Sequence, residues 1–310
     1  MMTAMLALTL NAFLDPSGLV RDLRADGNLL ANEVRFHIAA PQWNGTWGMT
    51  GDTRTSRVTG RKLSPSGMIV TGEFNGGPKL LWQVEMRRKG DGIVYACRVK
   101  SARGIVPAGA VLIRVLVPNR IAIGRRVMCI FPHLVEERKF PTALERNYVL
   151  WRHSGFLALL WEGEGNKFLC IRPLKGVRYF QLQDNRRFKG DTFEAQFYAD
   201  SALRDDRWVE IAVEFEAMDE ANAMAMVKTV REAERSIATA LHSSDRLRIH
   251  SVSVVTKEPR AFRKLEIRID LSGTWNNPFD PNQIDVVAEI APPRGRAYRI
   301  PAFFYVPFER

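Results

Sequence analysis

Residues 68–100 read MIVTGEFNGGPKLLWQVEMRRKGDGIVYACRVK, and this stretch decides the fold class. It contains three strand-length runs, Met68–Phe74, Lys79–Arg88 and Gly92–Lys100. Turns at Gly76–Pro78 and Lys89–Gly92 separate them. Valine, isoleucine and aromatic residues favour extended strands, whereas glycine and proline reverse the chain. Strand-length runs that recur at this spacing indicate an antiparallel sandwich.

The same spacing continues on both sides of this stretch. A hairpin of Leu6–Leu14 and Leu19–Leu23 around Asp15–Gly18 opens the chain, and strand-like runs continue as far as Trp208–Phe215. At least a dozen strands are therefore expected before residue 216, more than the seven of an immunoglobulin-type sandwich. We predict an all-β fold built on a large antiparallel two-sheet sandwich, similar to the supersandwich of galactose-mutarotase-type domains.

One amphipathic helix is predicted at about residues 219–242, where Asp219 is placed to cap the first turn. Apolar residues recur there with a period close to 3.6, at Ala223, Met226, Val227, Val230, Ile237 and Leu241. We expect this apolar face to cover a sheet while the charged face is solvated. The paired methionines Met224 and Met226 are interpreted as packing residues.

The helix closes a large domain, which we place at residues 1–243. The polar run Ser243–Asp245 marks the boundary, and a second domain follows at residues 247–310. This domain holds three strand-like runs separated by turn-forming residues: Lys264–Asp270, Ile284–Ile290 and Tyr298–Tyr305. We predict that the three runs pair as an antiparallel β-meander.

Four segments of the second domain carry a specific pattern: Asn277–Asp280, Val286–Ile290, Pro293–Arg296 and Ile300–Tyr305. An Asn-Pro-Phe turn is followed by a valine-containing strand, a Pro-x-Gly turn and a strand ending in aromatic residues. This pattern resembles the β-sandwich domain of unknown function that precedes the TIM barrel in bacterial glycoside-hydrolase-like proteins, although Ala302 stands where that family often has glycine.

The resemblance implies a partial Ig-like sandwich and an accessory role beside sugar-cleaving domains. It further implies an extracellular or cell-surface setting and a polysaccharide or oligosaccharide as partner. It transfers no catalytic residue, because the chemistry of that family belongs to the barrel. The pattern stops before the family's remaining strands, so we expect the natural polypeptide to continue past Arg310.

The composition is that of a globular protein with a basic balance. Of 310 residues, 46% are hydrophobic and 25% are charged, which argues against disorder. The formal net charge of +11 is compatible with nucleic acid, an anionic polysaccharide or an anionic membrane surface, and equally with solvated arginine-rich strand faces. We expect no nucleic-acid partner, because no helix-turn-helix, zinc-finger or RNP context is present.

The sequence indicates no cofactor and no metal site. Its histidines show no His-x-His or His-Glu-x-x-His spacing, and no phosphate loop or dinucleotide fingerprint occurs. Cys97, Cys129 and Cys170 lie in apolar runs and are predicted to be buried thiols, with a disulfide between two of them as the alternative. No apolar run is long enough to insert across a membrane, and the N-terminus lacks the basic region of a signal peptide. The localisation is left open.

Trp43 and Trp47 form the best candidate binding surface of the large domain. They lie in Pro41–Met49, a segment with glycine and asparagine that we predict to be a loop. Exposed indole rings stack on the apolar C–H faces of sugars, while the N–H can reach a hydroxyl. The alternative is that both rings close one end of the sandwich core.

Two hypotheses about function remain open, and no catalytic constellation is identifiable. In the first, the chain is a non-catalytic carbohydrate-binding or accessory part of a larger glycoside-hydrolase-like polypeptide. In the second, the large domain is a polysaccharide lyase or epimerase, in which a histidine or tyrosine base acts beside an arginine that neutralises an acidic sugar. Convergence of Tyr148, Arg152, His153 and Glu162 in one cleft would favour the second hypothesis.

Overall fold

The computed structural model describes residues 9–241, 247–256, 258, 265–273, 285–292 and 296–302. The chain divides into two compact units, residues 1–230 and 231–310. The first unit contains two large antiparallel sheets, so the predicted all-β antiparallel sandwich is confirmed. The predicted boundary at Ser243–Asp245 lies outside the described residues.

The first unit contains strands β1 to β19. In chain order they are β1 (Leu10–Leu14), β2 (Val20–Ala25), β3 (Asn28–Ala39), β4 (Thr46–Met49), β5 (Ser56–Ser64), β6 (Gly67–Phe74), β7 (Leu80–Lys89), β8 (Gly92–Ser101), β9 (Val106–Pro107), β10 (Ala110–Pro118), β11 (Arg126–Ile130), β12 (Val135–Lys139), β13 (Val149–His153), β14 (Ala158–Glu162), β15 (Phe168–Lys175), β16 (Tyr179–Asp184), β17 (Thr192–Tyr198), β18 (Ala202–Leu203) and β19 (Val209–Met218). A one-turn helix, α1, spans Asn119–Ala122.

These strands form two large sheets and one small pair. The eight-stranded sheet has the order β1-β2-β3-β10-β17-β16-β13, and β4 pairs with β3. The nine-stranded sheet has the order β12-β11-β14-β15-β19-β8-β7-β6-β5. Strands β9 and β18 pair with each other.

The hydrophobic core lies between the two large sheets. Because successive side chains of a strand point to opposite faces, Phe36 and Ile38 of β3 are both buried in it. The Phe36 and Phe74 rings of opposite sheets lie 6.1 Å apart. Across the same interface, the Trp161 indole N–H donates to the Leu30 carbonyl at 2.9 Å. The residues that alternate with these core residues along each strand form the outer faces of the two sheets.

Helix α2 spans Glu220–Leu241, where the sequence predicts it. The Asp219 carboxylate accepts a hydrogen bond from the Asn222 backbone N–H at 2.7 Å, which confirms the predicted cap. Ala223 and Val227 are buried against the outer face of β11, β14 and β15, with Met224 and Met226 partly buried beside them. The predicted packing on a sheet is confirmed for Ala223 to Val230, whereas the side chains of Ile237 and Leu241 lie outside the described ones.

The three cysteines are buried free thiols, as predicted. Burial is the main reason that their thiols resist ionisation, and it raises the pKa of Cys170 to about 12. Such thiols behave as small apolar packing groups.

The second unit contains two antiparallel hairpins among its described residues. Strand β20 (Arg248–Val254) pairs with β21 (Ile267–Ser272), and β22 (Val287–Ile290) pairs with β23 (Tyr298–Pro301). The pairing of β22 with β23 agrees with the predicted meander. Strand β21 pairs with β20, a strand that the predicted meander did not include. Several segments that carry the family resemblance lie outside the described residues: Asn277–Asp280, Pro293–Gly295 and Phe303–Tyr305. The Ig-like sandwich and the continuation past Arg310 stay predictions.

Candidate functional site

The outer face of the eight-stranded sheet carries polar side chains that are largely buried. We call it the polar face and define it by Glu33, Arg35 and His37 of β3, Arg114 of β10, Arg152 of β13, Tyr179, Gln181 and Gln183 of β16, and Glu194, Gln196 and Tyr198 of β17. The least exposed of these, at 7% or less, are His37, Gln181, Gln183, Glu194, Gln196 and Tyr198. Burying polar groups costs free energy unless they are hydrogen-bonded, so the contacts among these residues decide whether the face is stable.

The strand register places these side chains in rows across the sheet. The middle row, from β3 to β13, is Arg35, Arg114, Gln196, Gln181 and Arg152. The row beside it is His37, Leu112, Tyr198 and Tyr179. Side chains of adjacent rows lie diagonally across neighbouring strands, within reach of long polar residues.

Glu194 lies at the centre of the polar face. Its carboxylate accepts hydrogen bonds from Nε and Nη2 of Arg114, the second at 2.6 Å. It also accepts from Nδ2 of Asn185 at 2.9 Å and from Nε2 of Gln196 at 2.8 Å. Burial alone would raise the pKa of Glu194, but the hydrogen bonds and charge of Arg114 outweigh burial and lower this pKa below its ordinary value. The carboxylate is therefore ionised and can only accept hydrogen bonds.

This carboxylate sets the direction of a chain of side-chain amides. Because Glu194 can only accept, Asn185 turns its NH2 group toward it and its oxygen away. The Asn185 oxygen accepts from Nε2 of Gln183 at 2.8 Å, and the Gln183 oxygen accepts from Nε2 of Gln181 at 2.9 Å. The Gln181 oxygen then accepts from Nε of Arg152 at 3.0 Å and also from its Nη2. One buried charge thus orients the donors and acceptors as far as β13 at the edge of the sheet.

A second, shorter chain leads from Glu194 to Tyr198. Gln196 donates its NH2 group to Glu194, so its oxygen accepts from the Tyr198 hydroxyl. Burial raises the pKa of Tyr198. It also raises the pKa of Tyr179, which is less buried. Both phenols therefore stay protonated at neutral pH, and the Tyr198 hydroxyl donates its proton to the Gln196 oxygen.

An aromatic row borders the polar face, and it consists of Trp43, Tyr198 and Tyr179. The two tyrosine rings stack with centroids 4.4 Å apart and 11° between their planes. The indole of Trp43 meets Tyr198 edge-on at 6.4 Å and His37 at 6.1 Å, and Trp43 is 50% exposed. At the other end, the guanidinium carbon of Arg152 lies 6.0 Å from the Tyr179 ring centroid. The row therefore combines an exposed indole with two phenols, and Arg152 adds a cation at its end.

The backbone that carries Trp43 is strained. Pro41–Trp43 form a single 3-10 turn, in which Gln42 and Trp43 have φ values of 55° and 60°. Non-glycine residues in this left-handed region cost on the order of 1 kcal/mol or more each, and they persist only where the surroundings enforce them. In this turn the Trp43 backbone N–H donates to the Ala40 carbonyl, and the indole packs edge-on against His37 and Tyr198.

Trp47 lies on strand β4, where we predicted a loop. The pairing of β4 with β3 makes this segment extended and directs the indole toward the core, against which it is partly buried. Gly77 packs flat against this ring, since a Cβ atom at Gly77 would lie 2.3 Å from Cδ1 of Trp47. Of the two predicted binding residues, Trp43 lies at the polar face, and Trp47 has the position expected of a residue that closes the core.

His37 is a buried, neutral imidazole. Its Nε2 lies 3.1 Å from the Thr46 hydroxyl. Burial, together with the positive charges of Arg114 and Arg35, lowers the pKa of His37 from 6.5 to about 3. The ring therefore serves as a fixed polar surface beneath Trp43 at any physiological pH.

Arg152 and His153, two of the four residues named for the enzyme hypothesis, lie on opposite sides of β13. Arg152 faces Gln181 on the polar face. Nε2 of His153 lies 3.0 Å from Glu136, and the His153 ring contacts Phe180 of the core. The alternation of side chains along a strand separates the two neighbours.

The other two residues of that set lie elsewhere in the first unit. Tyr148 packs edge-on against Phe188 at 5.2 Å. Glu162 belongs to the nine-stranded sheet, where its carboxylate pairs with Arg126 at 2.9 Å. The four side chains therefore do not converge in one cleft.

The amide residues of the polar face were not among the predicted site residues. Their signal in the sequence is the alternation of polar and large apolar residues in YFQLQD (179–184) and TFEAQFY (192–198). Alternation of this kind marks a strand with one buried face, and a polar outer face is its ordinary consequence. Only the alignment of the two strands shows that the amides and the glutamate form one network.

The described part of the chain contains no helix that is long and apolar enough to cross a bilayer. Within the same residues, no group of three histidine, cysteine or carboxylate side chains is placed to hold a metal ion.

No protein-family model matches the chain, and no curated protein matches it. Among solved structures, a candidate aldose 1-epimerase from Escherichia coli K12 is similar, with a TM-score of 0.47 and 11% identity over 68% of this chain and 99% of that chain. A galactose mutarotase-like protein from Lactobacillus casei has a TM-score of 0.45 and 10% identity, covering 68% of this chain and 97% of that chain. An α-N-acetylgalactosaminidase from Bifidobacterium bifidum has a TM-score of 0.43 and 11% identity, covering 77% of this chain and 39% of that one.

Proposed function

We propose that the polar face binds a saccharide and that this chain is a non-catalytic carbohydrate-binding protein. The observation that carries this proposal is the network centred on Glu194, which orients donors and acceptors from Tyr198 to Arg152. A ring with many hydroxyl groups binds well to a surface whose donors and acceptors are already in place, because little side-chain entropy is then lost on binding.

The aromatic row supplies the apolar part of such a site. The C–H faces of a pyranose pack on aromatic rings, and indole is the largest of these. Trp43 is half exposed and held by its neighbours Tyr198 and His37, so its ring is available in a defined position. A sugar lying on Trp43 would have polar groups of the network within reach at its edge.

The titratable groups of the polar face are suited to binding rather than to proton transfer. A general acid or base works best when its pKa lies near the operating pH. The pKa of His37 is lowered to about 3, and the pKa of Glu194 is held below its ordinary value by Arg114. The Glu194 carboxylate is also occupied by three side chains and fully buried. Neither group is poised to exchange protons with a ligand at neutral pH.

In this proposal the chain acts as the binding or accessory part of a larger carbohydrate-active polypeptide. The support for that setting is the family resemblance of residues 277–305, which implies an accessory β-sandwich domain beside a sugar-cleaving barrel. A polysaccharide or oligosaccharide outside the cytoplasm is the corresponding ligand.

Affinity electrophoresis against a panel of soluble polysaccharides, followed by calorimetry on the best ligand, tests this function. We expect one class of glycan to retard the wild-type protein and Trp43→Ala to weaken binding by about tenfold, a change of ~1.4 kcal/mol. Leu63→Ala is the control, because Leu63 is an exposed apolar residue of β5 in the other sheet. Retardation by no glycan, or equal binding by wild type and Trp43→Ala, would contradict the proposal.

The same protein should be incubated with each bound glycan and the products followed by NMR. We expect no new bond cleavage, elimination or epimerisation. Turnover that is lost in Glu194→Gln or His37→Asn would favour the lyase or epimerase hypothesis instead.

A further inference from the structure

The three arginines of the polar face differ in what they pair with. Arg35 donates to the carboxylate of Glu33, and Arg114 donates to that of Glu194. Arg152, at the end of the same row, donates to the neutral oxygen of Gln181. Among the described residues, no carboxylate lies within ion-pair distance of Arg152. Among the described residues of this row, Arg152 is thus the arginine without a carboxylate partner, and it is exposed to solvent.

The stereochemistry of Arg152 leaves one edge of its guanidinium available. Nε and Nη2 both donate to the Gln181 oxygen, which uses the lateral edge of the group. The terminal edge, with one N–H on Nη1 and one on Nη2, keeps two parallel donors. This is the geometry with which arginine binds a carboxylate or another oxyanion in a bidentate manner.

The orientation of that edge is determined by the buried network. Gln181 presents its oxygen to Arg152 because its NH2 group donates to Gln183, and that direction originates at Glu194. The ring of Tyr179 lies below the guanidinium at 6.0 Å. A buried carboxylate therefore positions an arginine at the sheet edge without neutralising it.

We propose that the saccharide bound by the polar face is acidic and that Arg152 binds its carboxylate or sulfate group. This inference rests on the proposed function and adds the chemical class of the ligand. A sugar ring placed along the aromatic row would bring a charged substituent next to Tyr179 and the terminal edge of Arg152. A formal net charge of +11 would add long-range attraction for a polyanionic glycan.

Three ligands of similar size separate charge from shape. They are an α-1,4-linked oligogalacturonate, the same oligomer with its carboxylates methyl-esterified, and a sulfated galactose oligomer. Calorimetry with wild type, Arg152→Gln, Arg152→Lys and Arg57→Gln gives the comparison. Arg57 is an exposed residue of β5 on the other sheet, so Arg57→Gln makes the same change in net charge away from the polar face.

We expect wild type to bind an acidic oligomer at least about tenfold more tightly than the ester, since bidentate ionic hydrogen bonds are roughly twice as strong as neutral ones. Arg152→Gln should bind acid and ester equally, Arg152→Lys should lie between, and Arg57→Gln should match wild type. Preference for the uronate or for the sulfated oligomer identifies which anion Arg152 accepts.

Three results would overturn the inference: equal binding of acid and ester by wild type, an equal loss of acid binding in Arg57→Gln and Arg152→Gln, or binding of neutral glycans alone. In the last case the proposed saccharide-binding function would stand and only the acidic class would be wrong. If no glycan of any kind binds, the proposed function itself fails.

Discussion

The guanidinium of Arg114 reaches both carboxylate oxygens of Glu194, a residue 80 positions further along the chain. The two side chains lie on adjacent strands and are only 21% and 0% exposed. Two charges buried this deeply are tolerated while each compensates the other, and removing one leaves the other uncompensated. The directional order of the polar face depends on this pair, because Glu194 orients both hydrogen-bonded chains.

Arg114→Gln is therefore expected to lower the free energy of unfolding by about 3–5 kcal/mol, because Glu194 would remain buried without its counterion. Urea unfolding followed by tryptophan fluorescence measures the loss. Arg178→Gln is the matched control, since Arg178 pairs with Asp200 and the two side chains are 65% and 41% exposed. That variant should change stability by less than about 1 kcal/mol. Similar losses in both variants would show that the Arg114–Glu194 pair does not support the network.

Gln183→Glu tests the direction of the amide chain. The Asn185 oxygen needs a donor, which the Gln183 NH2 group supplies and an ionised glutamate cannot. We expect a loss of about 1–3 kcal/mol at neutral pH for the unsatisfied buried groups. A protonated glutamic acid can donate, so the introduced group should have a raised pKa, and the loss should shrink as the pH falls toward acidic values.

The control is Gln42→Glu, which adds the same charge at an exposed position. Its stability should follow that of wild type across the pH range. A Gln183→Glu protein with wild-type stability at neutral pH would mean that the amides can reverse their direction freely.

Buried His37 predicts a specific pH dependence of stability. In the folded protein its pKa is about 3, whereas the ordinary value is 6.5. Between these values the unfolded chain binds the extra proton, so wild-type stability should fall as the pH is lowered through this window. The limiting slope is about 1.4 kcal/mol per pH unit for one proton.

His37→Asn should remove this slope while keeping a polar group near Thr46, and unfolding curves at several pH values would measure it. His250→Asn is the control, because His250 is exposed and should leave the slope unchanged. Identical pH profiles for wild type and His37→Asn would show that His37 is not buried in its neutral form.

The two tryptophans first considered as a pair should separate in their effects. Trp47→Ala removes a ring that packs on the core and on Gly77, and we expect it to lower stability by about 2 kcal/mol or more. Trp43→Ala removes a half-exposed ring and keeps a Cβ atom at the same positive φ, so it should weaken glycan binding with a smaller loss of stability than Trp47→Ala. Thermal unfolding and affinity electrophoresis on the same preparations measure both properties. Loss of folding in Trp43→Ala would support the alternative that this ring closes the core.

Much of the fold could be predicted because its signals are local. Alternating apolar residues and short glycine-containing turns identify strands such as β6, β7 and β8 to within a residue or two of their observed bounds. The α2 cap at Asp219 is likewise a contact between residues three positions apart. Such features depend on side chains that are neighbours in the chain, so the sequence alone contains the information.

Strand pairing was harder to predict, because it depends on segments that are far apart in the chain. The segment around Trp47 has turn-forming residues, yet it is extended because β3 offers it a hydrogen-bonding edge. Strand β21 pairs with β20, although the sequence between β21 and β22 has the turn residues of a meander. Local composition contains no information about a partner strand that lies elsewhere in the chain.

By itself, the amino-acid sequence determined that this protein is an antiparallel β-sandwich with one capped amphipathic helix and buried thiols. The tertiary structure alone decided that Arg114, Glu194, Gln181 and Arg152 form one oriented network and that Trp43 lies beside it. The physical reason is that strand order and register bring together side chains that are far apart in sequence. A buried charge can orient distant groups only after that alignment has been made.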